Sequence, residues 1–543
     1  MSHLPMRKRR AERRRAGLPA ILILTAMAAA LALSSIPAHA DEPAKPFCDT
    51  EAAGNWAKCQ AGSAPPFNDP VFSGNDPYSD WWIWAIEAPA AWTRGVGDPN
   101  VLVAIVDDGA KLDHEDLEGR IAHQGSWHNL DGTFVEETFF TDTYFDHGTP
   151  IAAIIGGAAD NGVGSAGLCP GCSIMPMQFR YSGDLTPTTG SLLWGLIYSV
   201  MADPRPRIIN LSSGGGDYEE ELVDQFHDPE TRLSATRTFL LERGEYLENY
   251  YTNSGDWDLF NISFHEILTV TPNENVLVIV AAGNQAMPGD LFSICYHPAT
   301  LCVGNVAARE DGTIAPSPGS NYGLSVQVSA PGTFIWAADA GEAGYDWHIG
   351  TSFSAPVVAG LAGLLASAHP ELTARDLRQI IVASAVPLRA ESNGVVTFYE
   401  GGGDVADEVD AWRQAFLRLL GKDETLLLDG WELMTLVDKI PYEMNGVWQR
   451  AQRQTGEASV DGVVCARTGI ETVEEFWPVI DSDACAKAVG PLINARRALE
   501  LAAAGGWRDR FVSFSDADFA AAAALDPAEL AALARSIYAT RSN

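Results

Sequence analysis

Residues 350–365 read GTSFSAPVVAGLAGLL: a glycine, two hydroxyl residues, then a long run of small and apolar residues. The run predicts a buried helix with Ser352 at its mouth. The first N–H groups of a helix have no partner inside it, and that end carries partial positive charge. A serine there is an ordinary N-cap or, with a base beside it, a nucleophile. Pro356 is expected to sit early enough for its missing N–H to cost nothing. Two other stretches supply the partners. VLVAIV (101–106) reads as a strand buried on both faces. It delivers Asp107 at its carboxyl end, where open parallel sheets place their chemistry. FDHGTPIAAIIGG (145–157) carries His147, followed by Pro150 at a favourable first-turn position of an apolar helix. VLVIVAAGN (276–284) is another buried strand, and it ends on Asn284, whose amide is suited to donate to an oxyanion. Buried strands alternate with helical stretches, which predicts an α/β fold: a doubly wound, mostly parallel sheet flanked by helices.

The order Asp107, His147, Ser352 is that of the subtilisin-type triad; chymotrypsin-type and α/β-hydrolase triads run in other orders. The GxSxG elbow of lipase-like hydrolases is absent, because Ser354 stands where its last glycine would be. DDGAKLDHEDL (107–117), DHGT (146–149), INLSSGGG (209–216), AAGN (281–284), SNYGLSVQVSAPG (320–332) and GTSFSAP (350–356) resemble, in that order, the motifs of subtilisin-like serine proteases, the subtilases. The resemblance runs over residues 76–386, and LINARRALELA (492–502) is similar to the family's closing helix. Asp107-Asp108-Gly109 and Ser354-Ala355-Pro356 lean toward the kexin/furin branch, without the β-rich domain that branch carries.

The resemblance implies roles for individual residues. His147 takes the Ser352 proton, Asp107 holds the imidazole, and Asn284 with the Ser352 N–H receives the oxyanion. Ser212, Ser213 and Gly214 match the segment that pairs with the substrate backbone. Asp217 falls where kexin-like enzymes carry an acid facing a basic side chain; it also reads simply as the start of an acidic insertion. A structural calcium ion is implied. Its ligands are Asp116, Asp76 as in thermitase-like members, Asn161, and the carbonyls of Ala158, Val163 and Ser165. This mixed oxygen shell suits a hard cation. No His/Cys spacing points to zinc.

With 543 residues and 46% hydrophobic content the chain can bury a large core. RKRRAERRR, an apolar stretch and Ala38-His39-Ala40 read as a signal peptide over residues 1–40, so the chain is expected to be exported, to the periplasm or the medium. No other run reads as a membrane span. The net charge is −35, and residues 1–40 hold seven basic residues and one acidic one, so the rest is more acidic still. That argues against nucleic acid or an anionic membrane as a partner and leaves a protein or peptide substrate. The cysteines fall into four local couples: Cys48 and Cys59, Cys169 and Cys172, Cys295 and Cys302, Cys465 and Cys485. In an exported chain disulfides are the default, with local pairing the simplest connectivity.

The organisation read from the sequence is an N-terminal extension (41–75), a catalytic domain (76–386) with an acidic, aromatic insertion (217–275), a second insertion (387–488), a closing helix (489–504) and a helical tail (505–543). The expected activity is that of an exported serine endopeptidase. The alternatives are a silent peptide-binding pseudo-protease and an esterase or acyl-transfer enzyme on the same fold.

Overall fold

The computed structural model describes residues 67–73, 80–122, 125–128, 134–135, 147–180, 189–212, 267–268, 271–273, 275–285, 293–308, 314–317, 319–341, 344–386, 402–437, 459–460, 463–464 and 490–541. Asp76, Ser213, Gly214, Asp217, Cys48, Cys59, Cys465, Cys485, residues 1–40 and most of both insertions lie outside that set.

Nine strands form the central sheet: β1 (Leu102–Asp107), β2 (Gly125–His128), β3 (Phe134–Val135), β4 (Ser173–Arg180), β5 (Ile208–Leu211), β6 (Leu277–Ala281), β7 (Thr300–Ala308), β8 (Ile314–Pro316) and β9 (Val326–Pro331). The order is β3-β2-β4-β1-β5-β6-β7-β8, with β9 also beside β7. The pairs from β2 through β7, and β7 with β9, are parallel; only the β2–β3 and β7–β8 pairs run antiparallel. A hairpin of β10 (Thr333–Ala338) and β11 (Tyr345–Ile349) leads into the serine helix.

Helices cover both faces. They are α1 (Trp81–Ala85), α2 (Ala88–Trp92), α3 (Gly148–Gly156), α4 (Thr189–Met201), α5 (Ser293–Tyr296), α6 (Thr351–Ala368), α7 (Ala374–Ser384), α8 (Gly402–Leu419), α9 (Trp431–Val437), α10 (Ala495–Ala504), α11 (Asp516–Ala523) and α12 (Pro527–Arg541). The unbroken apolar run of β1 follows from its two buried faces. Val103 and Ile105 enter the core shared with α3 and α6, while Leu102, Ala104 and Val106 enter the one shared with α4. Helix α6 is long and apolar enough to cross a membrane, contrary to the sequence expectation, but 89% of it is buried inside the protein. It lies across β5, β6 and β7 and against α3.

The second insertion and the tail share a third core. Trp412 and Phe416 of α8, Leu433 and Met434 of α9, Ala522 of α11, and Leu530, Ala534 and Ile537 of α12 pack together. Sequence position separates these helices; their apolar faces bring them into one helical module. It is tied to α7 by Arg378–Asp429 (2.7 Å) and Arg508–Asp376 (2.7 Å). Cys169 is bonded to Cys172, and Cys295 to Cys302. The first of these closes the turn before β4.

Candidate active site

Three strand ends and two helix starts meet at the carboxyl edge of the sheet. Asp107 is the last residue of β1 and is buried. Its Oδ1 accepts the Asp108 N–H (2.8 Å) and faces His147 Nδ1 at 2.8 Å. Its Oδ2 is buried and takes no hydrogen bond among the described residues. His147 is the N-cap of α3, and 34% of its side chain stays exposed, so the ring reaches from a buried carboxylate to the open cleft. Gly148 must be glycine, because a Cβ there would lie 1.7 Å from the Gly109 carbonyl oxygen.

Asp108 is a third member that the sequence reading did not assign a role. Its Oδ1 accepts the Gly148 N–H (2.8 Å) and so fastens the first turn of the histidine helix. Burial, and then the neighbouring Asp107 charge, raise its pKa to about 7. For His147, burial pulls the pKa down. The Asp107 charge, the Asp107 hydrogen bond and the Asp108 charge outweigh that and hold it above the ordinary imidazole value. His348 also lies nearby, its ring 4.9 Å from that of Phe353, which is 5.5 Å from the His147 ring. Burial lowers the His348 pKa to about 4, so it adds no positive charge beside His147 at neutral pH.

Ser352 is the second residue of α6, where the helix leaves N–H groups open. Its hydroxyl donates to the Ser212 carbonyl (3.1 Å). Pro356 turns out to be the sixth helical residue, not one of the exempt first ones. Its missing N–H deprives the Ser352 carbonyl of its partner four residues on. The Ser212 hydroxyl donates to that carbonyl instead (2.7 Å), and the Asn210 amide holds the same hydroxyl (2.8 Å). The Ser212 side chain therefore positions the serine helix.

Asn284 follows β6. Its Oδ1 accepts both the Thr351 N–H (2.8 Å) and the Thr351 hydroxyl (3.0 Å). Because a backbone N–H can only donate, the amide oxygen must face Thr351, which leaves Nδ2 turned away and without a hydrogen bond among the described residues. Gly350 has φ +146°, and a Cβ there would sit 3.2 Å from Asn284 Nδ2. The glycine keeps the approach to that donor open.

The model of the subtilase family matches residues 98–412, more than half of the chain. The chain belongs to the subtilase family. This subtilase is 28% identical over 361 residues to the extracellular basic protease of Dichelobacter nodosus, a match covering 58% of this chain and 52% of that one. It is 27% identical to halolysin of Haloferax mediterranei, over 62% of this chain and 54% of the relative. With thermitase of Thermoactinomyces vulgaris the identity is 28%, over 55% and 85%. The matches thus span about half the length of the first two relatives.

A second polar cluster of this subtilase lies at the loop 158–165. Asp116 is fully buried; its Oδ2 accepts the Ser165 N–H (3.2 Å), and the Asn161 amide reaches its Oδ1 (3.4 Å). The Ala158 N–H donates to the Asp116 carbonyl (2.7 Å), and the Val163 N–H to Asn161 Oδ1 (3.0 Å). Asp69 joins them, its oxygens taking the N–H groups of Asp160, Asn161 and Gly162. Asp69 is not among the residues expected from the sequence to bind calcium; Asp76, which is, lies outside the described residues. FNDPVFSGNDPY holds two Asn-Asp-Pro repeats, and the sequence reading takes up only the second. Burial first, opposed by the Ser165 and Asn161 hydrogen bonds and reinforced by Asp69 and Glu115, raises Asp116 to about 7. Among the described residues no cationic side chain pairs with either acid. Two buried acids with no described cationic side chain to balance them, beside the Asn161 side chain, fit the oxygen chemistry of a hard divalent cation.

Proposed function

We propose that this subtilase is an exported serine endopeptidase that cleaves peptide bonds through Asp107, His147 and Ser352, with Asn284 in the oxyanion hole. The observation that carries the reading is the pairing of a buried Asp107 with a cleft-facing His147 at the same sheet edge as the Ser352 helix mouth. Catalysis needs one rearrangement. The Ser352 hydroxyl leaves the Ser212 carbonyl and turns by rotation about χ1 to His147 Nε2, a tightening expected when substrate enters. His147 takes the proton as Oγ attacks the carbonyl carbon, then returns it to the leaving amine. The Asn284 Nδ2 and the Ser352 N–H receive the oxyanion, aided by the positive end of α6. The backbone of Ser212, Ser213 and Gly214 pairs with the substrate chain. Fluorophosphonate labelling of the 41–543 protein, followed by comparison of peptide with ester turnover, tests the reading. A protein that neither labels nor cleaves a peptide would refute it.

Asn284→Ala is expected to lower kcat by about 10²–10³, the scale of losing one oxyanion donor, with KM nearly unchanged. Steady-state kinetics would reject the role if KM rose and kcat held. Asp108→Asn keeps an oxygen for the Gly148 N–H and removes a negative charge near His147. A carboxylate there favours the imidazolium, so its loss lowers the His147 pKa and frees the base at lower pH. The acid limb of the kcat/KM profile is expected to move to lower pH; a limb that stays or moves up contradicts this role for Asp108.

Asp69, Asp116 and Asn161, with carbonyls of the 158–165 loop, would hold a calcium ion, which supplies structural stabilisation and takes no part in bond cleavage. At calcium a hundredfold above its Kd the expected stabilisation is about 2.7 kcal/mol. Chelation should lower the unfolding temperature of the wild type and leave that of Asp116→Asn nearly unmoved. Equal responses of the two proteins would remove this site.

A further inference from the structure

The turn at residues 319–325 leaves the catalytic core on one side and enters the helical module on the other. Asn321, fully buried, faces the oxyanion loop. Its Nδ2 donates to the Ala282 carbonyl (2.8 Å) and to Gln285 Oε1 (3.3 Å), and its Oδ1 accepts the Gln285 N–H (3.1 Å). Its own N–H donates to the Gly283 carbonyl (2.9 Å). Gln285 Oε1 in turn accepts the N–H of Asn284 (2.8 Å). One residue therefore touches the loop on both sides of Asn284.

The next residue points the other way. Tyr322 has no exposed surface and belongs to the core of the helical module, with Trp412, Phe416 and Ile537; Leu324 packs against the same core. The family match ends at Trp412, so α9, α11 and α12 lie outside the matched residues.

We infer that the helical module braces the oxyanion loop, and that Tyr322 is a positioning residue for Asn284, acting through Asn321 and Gln285. An oxyanion donor must be held to about 0.5 Å to retain its effect. On one side Asn284 is held by Thr351 of α6; on the other its loop is held by Asn321. Asn321 cannot shift far while the adjacent tyrosine ring is packed, since extracting an aromatic side chain exposes roughly 150–250 Å². The kinetic part of this inference rests on the hydrolysis proposed above; the structural part does not.

The test compares Tyr322→Ala and Tyr322→Phe with the wild type, using Leu499→Ala, a buried truncation in α10, as a control for general destabilisation. Tyr322→Ala is expected to lower kcat by about 10- to 100-fold, as a misplacement of about 1 Å does, with KM within about twofold. Tyr322→Phe should restore kcat, and Leu499→Ala should keep it. Amide exchange at residues 282–285 should accelerate in Tyr322→Ala alone. A folded Tyr322→Ala with wild-type kcat and wild-type exchange overturns the inference. If the wild type has no activity, the hydrolysis reading fails and the exchange comparison still decides the brace. If Tyr322→Ala does not fold, native-state exchange of the wild type in sub-denaturing urea decides it. Residues 282–285 should then open together with α8 and α12. Independent opening of the two regions would overturn it.

Discussion

Ser352→Ala is expected to lower kcat by about 10⁶ and to abolish fluorophosphonate labelling, while KM and the unfolding temperature stay close to wild type. The size of the loss comes from what a serine at this place does. In the proposed mechanism its oxygen is the atom that bonds to the carbonyl carbon, and neither His147 nor Asn284 could replace it. The remaining rate, about 10³–10⁴ above water, would come from the oxyanion donors and substrate binding. The small effect on stability follows from the structure. The Ser352 hydroxyl gives one hydrogen bond, to the Ser212 carbonyl, and the helix contact that matters for folding is made by the Ser352 backbone carbonyl, which alanine retains. The double measurement is the check. A variant that loses activity and also unfolds would assign Ser352 a structural role, and a variant that keeps measurable labelling would place the nucleophile elsewhere.

Asp107→Asn is the second large effect, about 10⁴ in kcat with labelling slowed to match. Asp107 Oδ1 receives both the Asp108 N–H and the His147 ring N–H. In the asparagine variant the amide oxygen stays with the backbone N–H, which can only donate. That same oxygen still accepts the His147 ring N–H, so the tautomer is kept, and what the variant loses is the negative charge that stabilises the imidazolium. Without that charge the imidazole is a weaker acceptor of the Ser352 proton. The His147 pKa should also fall, because the Asp107 charge holds it up, so the acid limb of the kcat/KM profile is expected to move to lower pH. A variant within tenfold of wild type at neutral pH would mean that the Asp107–His147 contact is not used in catalysis.

Much of the site was readable along the chain because each part is announced by its own local pattern. An apolar run ending in Asp107 is a strand end, DHGT opens a helix, AAGN closes a strand, and GTS opens the longest apolar helix. These patterns are set by neighbours in sequence, through periodicity, glycine placement and helix starts. What escaped the reading depends on partners far away in the chain. Ser212 reads as part of a substrate-facing segment, yet its hydroxyl serves the carbonyl that Pro356 leaves open, 140 positions later. Asp108 reads only as part of the Asp107-Asp108-Gly109 motif until α3 arrives to give it the Gly148 N–H. Asp69 carries no local signal, and only the fold brings its carboxylate to the N–H groups of the 158–165 loop.

The residue pattern by itself determined the doubly wound sheet, the family and the residue types of the proposed catalytic set, because burial on both faces and helix entry are properties of short stretches. Only the tertiary structure decided which end of the Asn284 amide faces the cleft. Only it joined the second insertion and the tail into one module and put Tyr322 in that module's core. Those outcomes depend on side-chain packing and hydrogen-bond direction between segments tens to hundreds of residues apart, and no local periodicity encodes them.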